Sequence, residues 1–172
     1  MRATSRTVAA LAAALVLTAC GSGGDGDGDQ DDNAGSTCAD QLSVKFGPAN
    51  AAPATGDTGN VPVTVTNRGG AECVLDGLPA VEFDAGNTVT SVGADEGAPA
   101  TKRTLAKEAT TSFTLTYVRG GGTKSLGVES VKIHLPGASE PRSFKWSYGD
   151  VALKSDGQTP DASVTGFQQS GD

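Results

Sequence analysis

The chain has 172 residues, with 20 Asp and Glu side chains against 13 Lys and Arg and a formal net charge of −7 at pH 7. This length suits one ordinary domain and is too short for two. Because nucleic-acid binding leaves a basic patch or stripe, and the sequence has none, the composition excludes a nucleic-acid partner.

The first element is an N-terminal targeting segment, residues 1–19. Arg2 and Arg6 precede an apolar run at 8–17, and the first acidic residue is Asp25. The run has the length of a signal-peptide hydrophobic region, whereas a membrane-spanning helix needs about 20 apolar residues. We therefore predict that the protein is exported and that residues 1–19 are its signal peptide.

Residues 17–20, Leu-Thr-Ala-Cys, resemble a bacterial lipobox. This resemblance implies that cleavage follows Ala19 and that Cys20 becomes the new N-terminus, with a diacylglycerol thioether whose two acyl chains include fatty acids such as palmitate. Lipid chains of this kind hold a soluble domain stably on a membrane. The expected location is the extracytoplasmic face of the cell membrane. The alternative is an ordinary secretory signal that leaves Cys20 as a disulfide partner.

The three cysteines are Cys20, Cys38 and Cys73. A lipidated Cys20 cannot form a disulfide, which leaves Cys38 and Cys73 as the pair in an oxidising compartment. Closing a loop of about 35 residues stabilises a fold by roughly 4 kcal/mol in the chain-entropy model. A redox or metal role for the two thiols is the alternative, but there is no Cys-x-x-Cys spacing and His134 is the only histidine in the sequence.

Residues 20–37 form an acidic segment rich in Gly and Asp. Alternating Asp residues from Asp25 resemble the first ligands of a calcium loop. Such a loop also needs Gly at its sixth position and Glu at its twelfth, where this chain has Gln30 and Ser36. A flexible, self-repelling tether between lipid and domain is the favoured interpretation.

From Cys38 onward, apolar residues alternate with polar ones, and Gly, Pro, Asn or Asp interrupts the pattern every ten residues or so. This alternation predicts short half-buried strands. The residues expected on the apolar faces are Leu42, Val44, Phe46, Val61, Val63, Val65, Val81, Phe83, Val89, Phe113, Leu115, Tyr117, Val131, Ile133, Leu135, Phe144, Trp146 and Tyr148.

Seven or more such strands without a convincing helical stripe predict an all-β domain over residues 38–172, an antiparallel β-sandwich with one disulfide. Pro62 falls inside one of the predicted strands. Since proline has no N–H to donate to a ladder, Pro62 predicts an edge strand or a strand start.

The stretch at 67–81 carries a recurring pattern of an Asn, several Gly, a Cys and a Pro. Its residues are Asn67, Gly69, Cys73, Leu75, Gly77, Pro79 and Val81. Together with Cys38 and the later strand ATTSFTLTY, the pattern resembles a family of actinomycete exported proteins and lipoproteins, domain of unknown function 4232, over roughly residues 38–135. The resemblance implies an immunoglobulin-like sandwich outside the cytoplasm with Cys38 bridged to Cys73, and it implies no activity.

The inventory of catalytic side chains is small. A single histidine, His134, cannot build a His-dependent triad or a multi-His metal site, and it is expected to be a solvated strand residue. Two carboxylate pairs, Glu82 with Asp84 and Asp95 with Glu96, are the candidates for acid–base chemistry if a cleft lies beside them. Solvated strand or loop positions are the favoured interpretation of both pairs. We expect no catalytic residue, no cofactor and no metal.

Two further segments could contact a ligand. Residues 119–124, RGGGTK, lack the full phosphate-loop pattern and precede no helix, so they predict a hairpin loop rather than a phosphate cradle. The alternating Phe144, Trp146 and Tyr148 are either core or an aromatic platform for a sugar or peptide. Core packing is favoured, because a sandwich strand needs one apolar face; an exposed Trp146 would favour the platform.

The sequence as a whole predicts a membrane-anchored lipoprotein that is a binding or interaction module rather than an enzyme. Its expected partners are the membrane, through the lipid, and an envelope protein or glycan. The alternatives are an envelope hydrolase that uses carboxylates alone and a purely structural envelope protein.

Overall fold

The structure is a computed structural model that describes residues 37–50 and 52–169. Residues 1–36 lie outside the described part of the chain. The signal peptide assigned to 1–19, the lipidation of Cys20 and the tether assigned to 20–37 therefore stay predictions. The described residues belong to one compact unit, Asn33–Asp172.

The described part of the chain is built from short strands and contains no α-helix. Two 3-10 turns, Cys38–Gln41 and Gly122–Lys124, interrupt them. The strands are β1 Leu42–Phe46, β2 Thr58–Asn67, β3 Cys73–Gly77, β4 Ala80–Asp84, β5 Val89–Ala94, β6 Thr101–Leu105, β7 Thr110–Val118, β8 Ser125–Leu126, β9 Ser130–His134, β10 Arg142–Lys145, β11 Val151–Ala152, β12 Ala162–Val164 and β13 Gln168–Gln169. The predicted all-β class is confirmed.

Most strands join one large sheet in the order β1-β2-β7-β12-β5-β4-β9-β10, with β13 also paired to β7. Two small sheets, β3-β6 and β8-β11, complete the described part. The pairing of β12 with β5 is parallel, an exception to the predicted antiparallel sheet that alternation within each strand could not reveal. The immunoglobulin-like assignment stays a prediction.

The large sheet curls until its two end strands approach each other. The rings of Phe46 on β1 and Phe144 on β10 stack with centroids 5.4 Å apart. Six antiparallel pairings and one parallel pairing connect β1 to β10, so the two strands run in the same direction. The sheet is therefore nearly closed, with side chains rather than backbone ladders bridging the gap between its ends.

The inward faces of the strands form the core, and the alternation predicted most of it. The side chains with at most 1% exposure include Val61, Val63, Val65, Leu75, Val81, Phe83, Phe113, Leu115, Tyr117, Val131, Ile133 and Val151. Burial of this kind stabilises by about 1.5–3 kcal/mol for each large apolar side chain. Val44, Phe46, Phe144 and Tyr148 pack against this core while partly buried.

The predicted disulfide is present: Cys38 and Cys73 are bonded, 35 residues apart in the sequence. Non-covalent contacts hold the same end of the chain. The Ser139 backbone N–H donates to Asp40 Oδ1 at 2.8 Å, and Arg142 Nη2 donates to the Asp40 carbonyl at 2.7 Å. Two hydrogen bonds from Ser139 lower the pKa of Asp40 to about 2; the bond from the backbone N–H has the larger effect and the bond from the hydroxyl the smaller.

Two details of the strand prediction are wrong. Pro62 lies on β2, which has β1 on one side and β7 on the other. The pairing of β1 with β2 ends at Phe46 and Val63, just before Pro62. The Pro62 carbonyl still accepts from Gly47 N–H at 2.9 Å. Proline is tolerated here because β1 has ended, so the ladder needs no N–H from residue 62. Val89 is 51% exposed at the start of β5, where Val92 is the buried residue instead.

Candidate functional site

A cavity of about 320 Å³ lies where β7 ends. We call it the Arg119 cavity. Its walls come from three parts of the chain that are distant in sequence: the segment after β1, the end of β7 and the turn after β10. The lining residues are Ala49, Asn50, Ala52, Pro53, Tyr117, Arg119, Ser147, Tyr148 and Gly149. This volume is at the lower end of the range for small-ligand pockets.

Arg119 supplies the charge of the cavity. Its Nη1 donates to the Ala52 carbonyl at 2.7 Å, and its guanidinium lies against Gly149, where a Cβ would be 3.3 Å from Nε. No Asp or Glu among the described residues lines the cavity or forms an ion pair with Arg119. The cavity is therefore a cationic spot on an acidic protein, with guanidinium donors suited to a carboxylate or phosphate.

Two tyrosines form the aromatic part of the lining. Tyr117 is 1% exposed, and burial raises its pKa above the ordinary value, so the phenol stays protonated at neutral pH. Its hydroxyl donates to the Tyr148 carbonyl at 3.4 Å. The Trp146 indole N–H donates to the Gly149 carbonyl, a bond that closes the turn containing Tyr148. Trp146 also contacts both tyrosines edge to face, with ring centroids 5.0 Å apart in each pair.

A second opening, the Thr101 cleft, has a volume of about 360 Å³. It lies between the β5–β6 connection and the segment that follows β12. Its lining residues are Asp95, Glu96, Gly97, Ala98, Pro99, Thr101, Arg103, Thr165, Gly166, Phe167 and Gln168. The Arg103 guanidinium donates through Nε and Nη2 to the Phe167 carbonyl, at 3.3 and 3.1 Å. The cleft therefore combines the carboxylates of Asp95 and Glu96 with the guanidinium of Arg103, which its bonds to the Phe167 carbonyl hold in place.

Comparison with known families gives one match. The model of the family described as Domain of unknown function (DUF4232) matches residues 38–168. The chain belongs to the DUF4232 family. The match extends beyond the stretch 38–135 that the sequence pattern had indicated. Comparison with curated proteins finds no match, and comparison with solved structures finds none either.

The DUF4232 pattern at 67–81 serves the fold. Asn67 is 1% exposed, and its Nδ2 donates to the carbonyls of Ala71 and Leu105, both at 2.8 Å, while its Oδ1 accepts from Gly69 N–H at 2.9 Å. A Cβ on Gly69 would lie 2.6 Å from Gln41 Oε1. These contacts tie the β2–β3 turn to β6.

The rest of the DUF4232 pattern is structural too. Cys73 forms the disulfide, Leu75 and Val81 are buried, and Gly77 has φ 121°, a backbone conformation that favours glycine. None of these four residues lines the Arg119 cavity or the Thr101 cleft. The residues of the family pattern therefore stabilise the fold, and they indicate neither the Arg119 cavity nor the Thr101 cleft as a binding site.

The two predicted carboxylate pairs lie in different parts of the structure. On the β4–β9 face of the DUF4232 domain, Glu82 contacts His134 with 3.1 Å between Oε2 and Nε2, and Asp84 contacts Lys132 at 2.8 Å. The hydrogen bond from Lys132 lowers the pKa of Asp84, and the same bond raises the pKa of Lys132. Both carboxylates therefore bond to side chains of the neighbouring strand β9. The other predicted pair, by contrast, lines the Thr101 cleft.

The aromatic triplet divides by burial. Trp146 is 4% exposed and contacts Phe83 and Tyr117 edge to face, with centroids 5.1 and 5.0 Å apart. The favoured interpretation, core packing, is confirmed for Trp146. Phe144 and Tyr148 are half-buried, and Tyr148 alone of the triplet lines the Arg119 cavity.

Residues 119–124 do not form the predicted hairpin. The strand that follows them, β8, pairs with β11 and not with β7. Of this segment, Arg119 is the residue that contributes to the cavity, which sequence reasoning did not foresee. Asn50, Thr101 and Arg103 also went unnoticed, because their local sequence is that of ordinary turns and alternating strands.

Two searches of the described residues complete the description. No helix there is long and apolar enough to cross a membrane. Across 37–50 and 52–169, no group of three or more His, Cys, Asp or Glu side chains is arranged to hold a metal ion.

Proposed function

We propose that this DUF4232 protein is a lipid-anchored binding module on the extracytoplasmic face of the cell membrane, and that the Arg119 cavity receives an anionic group of its ligand. The lipobox-like residues 17–20 and the acidic tether 20–37 support the anchoring. The partner is an envelope component, either a glycan or a protein, that presents a carboxylate.

One observation supports the binding proposal most directly. The Arg119 guanidinium lines an open cavity in which no described acidic residue neutralises it. An unpaired cation attracts anions, and charge-assisted hydrogen bonds from a guanidinium contribute about 1.5–3 kcal/mol each. Tyr148 adds an aromatic surface on which the carbon skeleton of a ligand can lie.

The lining of this cavity favours binding over catalysis. Within the described residues the lining contains no His, Cys, Asp or Glu, so its one possible nucleophile, the Ser147 hydroxyl, has no base in the cavity to activate it. The buried phenol of Tyr117 has a raised pKa, so it donates a hydrogen bond and does not act as a base at neutral pH. We therefore propose a non-catalytic role.

The binding proposal is tested by titrating the full chain with glucuronate and, separately, with glucose, which has the same ring without the carboxylate. Backbone NMR signals of Arg119 and Gly149 should shift with glucuronate and not with glucose. Arg119→Gln should weaken glucuronate binding by about tenfold or more, and Arg119→Lys by less, since it keeps the charge.

Arg68→Gln is the matched control. Arg68 is exposed and paired with Glu108 at 2.6 Å, and neither residue lines the cavity, so this variant should bind glucuronate like the unmodified protein. Equal binding of glucose and glucuronate, or unchanged affinity in Arg119→Gln, would contradict an anion site.

The anchoring proposal has its own test. Cys20→Ala should release the protein from the membrane fraction of intact cells, because the acyl chains have no other residue to join. Residues 38–172 are untouched by this change, so the released protein should remain folded. Retention of the variant in the membrane fraction would show that Cys20 does not carry the anchor.

The hydrolase alternative has one observation in its favour, the position of Asp95 and Glu96 on the Thr101 cleft. It predicts that a glycan offered to the protein is cleaved, and that Asp95→Asn and Glu96→Gln each abolish the cleavage. Product analysis after prolonged incubation with maltotriose distinguishes the two candidates, since a binding module returns the glycan intact.

A further inference from the structure

Strand β10 leaves an unpaired backbone edge at one end of the large sheet. Among the described residues it pairs with β9 alone. Opposite residues of an antiparallel pair alternate between exchanging backbone hydrogen bonds and directing these groups away from each other. Trp146 N–H donates to the Glu129 carbonyl at 2.9 Å, so every second residue counted back from Trp146 bonds to β9. The N–H and carbonyl groups of Ser143 and Lys145 therefore point away from β9, and both residues are exposed.

This edge leads to the Arg119 cavity. β10 ends at Lys145, and Ser147 of the cavity lining follows two residues later, a distance of about 7 Å in an extended chain. Across the gap, β1 runs in the same direction as β10, and the segment after it supplies Ala49 and Asn50 to the lining. The cavity therefore lies at the end of the gap towards which both strands run.

An extended peptide fits both the edge and the cavity. The backbone of an added strand bonds to an unpaired edge. A strand parallel to β10 has its C-terminus at the cavity, where the guanidinium of Arg119 carries donors in the geometry that a carboxylate accepts. An antiparallel strand would instead bring its N-terminal end, which is cationic when free, towards Arg119. The charge of Arg119 thus favours the parallel orientation and a free C-terminal carboxylate.

Charges beside the gap favour acidic side chains on the added strand. By alternation, Lys45 on β1 and Lys145 on β10 lie on the faces opposite to Phe46 and Phe144, which pack against the core. Both lysines are exposed, and neither forms an ion pair with a described Asp or Glu. A second copy of this chain is disfavoured, because pairing through β10 would bring another Lys145 and another Arg142 to the same edge.

We propose that the ligand is the C-terminal segment of an envelope protein, which adds as a parallel strand to β10 and places its terminal carboxylate at Arg119. Ser143 and Lys145 supply the main-chain hydrogen bonds, and the cavity supplies selectivity for a free carboxylate. This inference names the ligand of the anion site proposed above, and it rests on that site.

The inference is tested with the pentapeptide acetyl-Glu-Thr-Glu-Thr-Ala, once with a free C-terminal carboxylate and once as the carboxamide. Each peptide is added to the full chain, and the exchange of backbone amides with deuterium is followed by NMR. The free acid at ten times its Kd should slow exchange at Ser143 and Lys145 about tenfold. The amides of Arg142 and Phe144 are the internal controls, because they already bond to β9, and their exchange should not change.

Affinities separate the carboxylate contact from the strand contact. The carboxamide should bind about tenfold more weakly than the free acid, and Arg119→Gln should abolish this difference. Lys145→Gln should weaken binding of the free acid about twofold to fivefold. Lys102 is exposed on β6 and lines neither β10 nor the cavity, so Lys102→Gln is the matched control and should leave the affinity unchanged.

A methylated peptide tests the backbone contact by itself. The free acid with every internal peptide nitrogen methylated should leave exchange at Ser143 and Lys145 unaltered, because methyl groups replace its donors and obstruct the edge. Protection of these amides by the methylated peptide equal to that by the unmethylated one would contradict strand addition.

Three further results would overturn the inference: exchange at Ser143 and Lys145 that saturating free acid does not slow, equal affinity for the free acid and the carboxamide, or slowing that follows protein concentration rather than peptide. The last would show that a second copy pairs with β10. If glucuronate binds at Arg119 while the peptide gives any of these results, the anion site stands and strand addition is wrong. If glucuronate also fails to bind, both proposals are wrong.

Discussion

Removing the disulfide between Cys38 and Cys73 should lower the free energy of unfolding by about 4 kcal/mol. The two residues are 35 positions apart, and the chain-entropy model gives roughly 4 kcal/mol for a loop of that length at 25 °C. A double substitution to Ala should add about 1 kcal/mol, because Cys73 has no solvent exposure and its sulfur leaves a small void. Domains of this size have a total stability of about 5–15 kcal/mol.

The assay is urea unfolding of three forms: the unmodified chain, the same chain with a reductant, and Cys38→Ala/Cys73→Ala. The dependence of free energy on urea should also steepen without the crosslink, because the unfolded chain then exposes more surface. Cys20→Ala is the control. Cys20 takes no part in the disulfide, so this variant should unfold like the unmodified protein.

The reduced protein should keep its fold at low urea, since Asp40 still bonds to Ser139 and Arg142. A loss below about 1 kcal/mol on reduction would refute the reasoning. It would mean that the crosslink does not restrict the unfolded chain to the extent that the 35-residue separation requires.

Three other changes test contacts elsewhere in the domain. Asn67→Ala should lower the free energy of unfolding in urea by about 2–4 kcal/mol, because it removes two hydrogen bonds to carbonyls and one from an N–H. A loss under about 1 kcal/mol would mean that other groups replace these bonds. Gly120→Ala should lower the free energy of unfolding by about 1–3 kcal/mol, because a Cβ at this position would lie 2.8 Å from the backbone of β11. Gly93→Ala is the control, since a Cβ there meets nothing within 4 Å. Asp40 has a folded pKa of about 2, below the unfolded value of about 3.9, so its contribution to stability is present above pH 4 and is lost as the pH falls towards 2. Ser139→Ala should raise this pKa in a carboxyl NMR titration, and an unchanged midpoint would show that the Ser139 hydroxyl does not bond to Asp40.

The local pattern of the sequence predicted much of the fold. A period of two places alternate side chains on opposite faces of a strand, which is why residues such as Val63, Phe113 and Ile133 were correctly expected in the core. The cysteine count led to the correct pairing once Cys20 was assigned to lipid. The residues at 67–81 that resemble the DUF4232 pattern proved to be structural: Asn67 bonds to Gly69 and Ala71 in its own turn, which the local sequence could suggest, and to Leu105 on the distant strand β6, which it could not.

What the sequence alone determined is thus the all-β class, the faces of most strands and the disulfide. Only the tertiary structure decided which strands are neighbours: it placed Pro62 on an interior strand and β12 parallel to β5. It also brought Arg119 together with Tyr148, and Thr101 with the distant segment 165–168. The physical reason is that alternation is a property of a few consecutive residues, whereas strand order and cavities depend on how separate segments pack after the chain has closed its long loops.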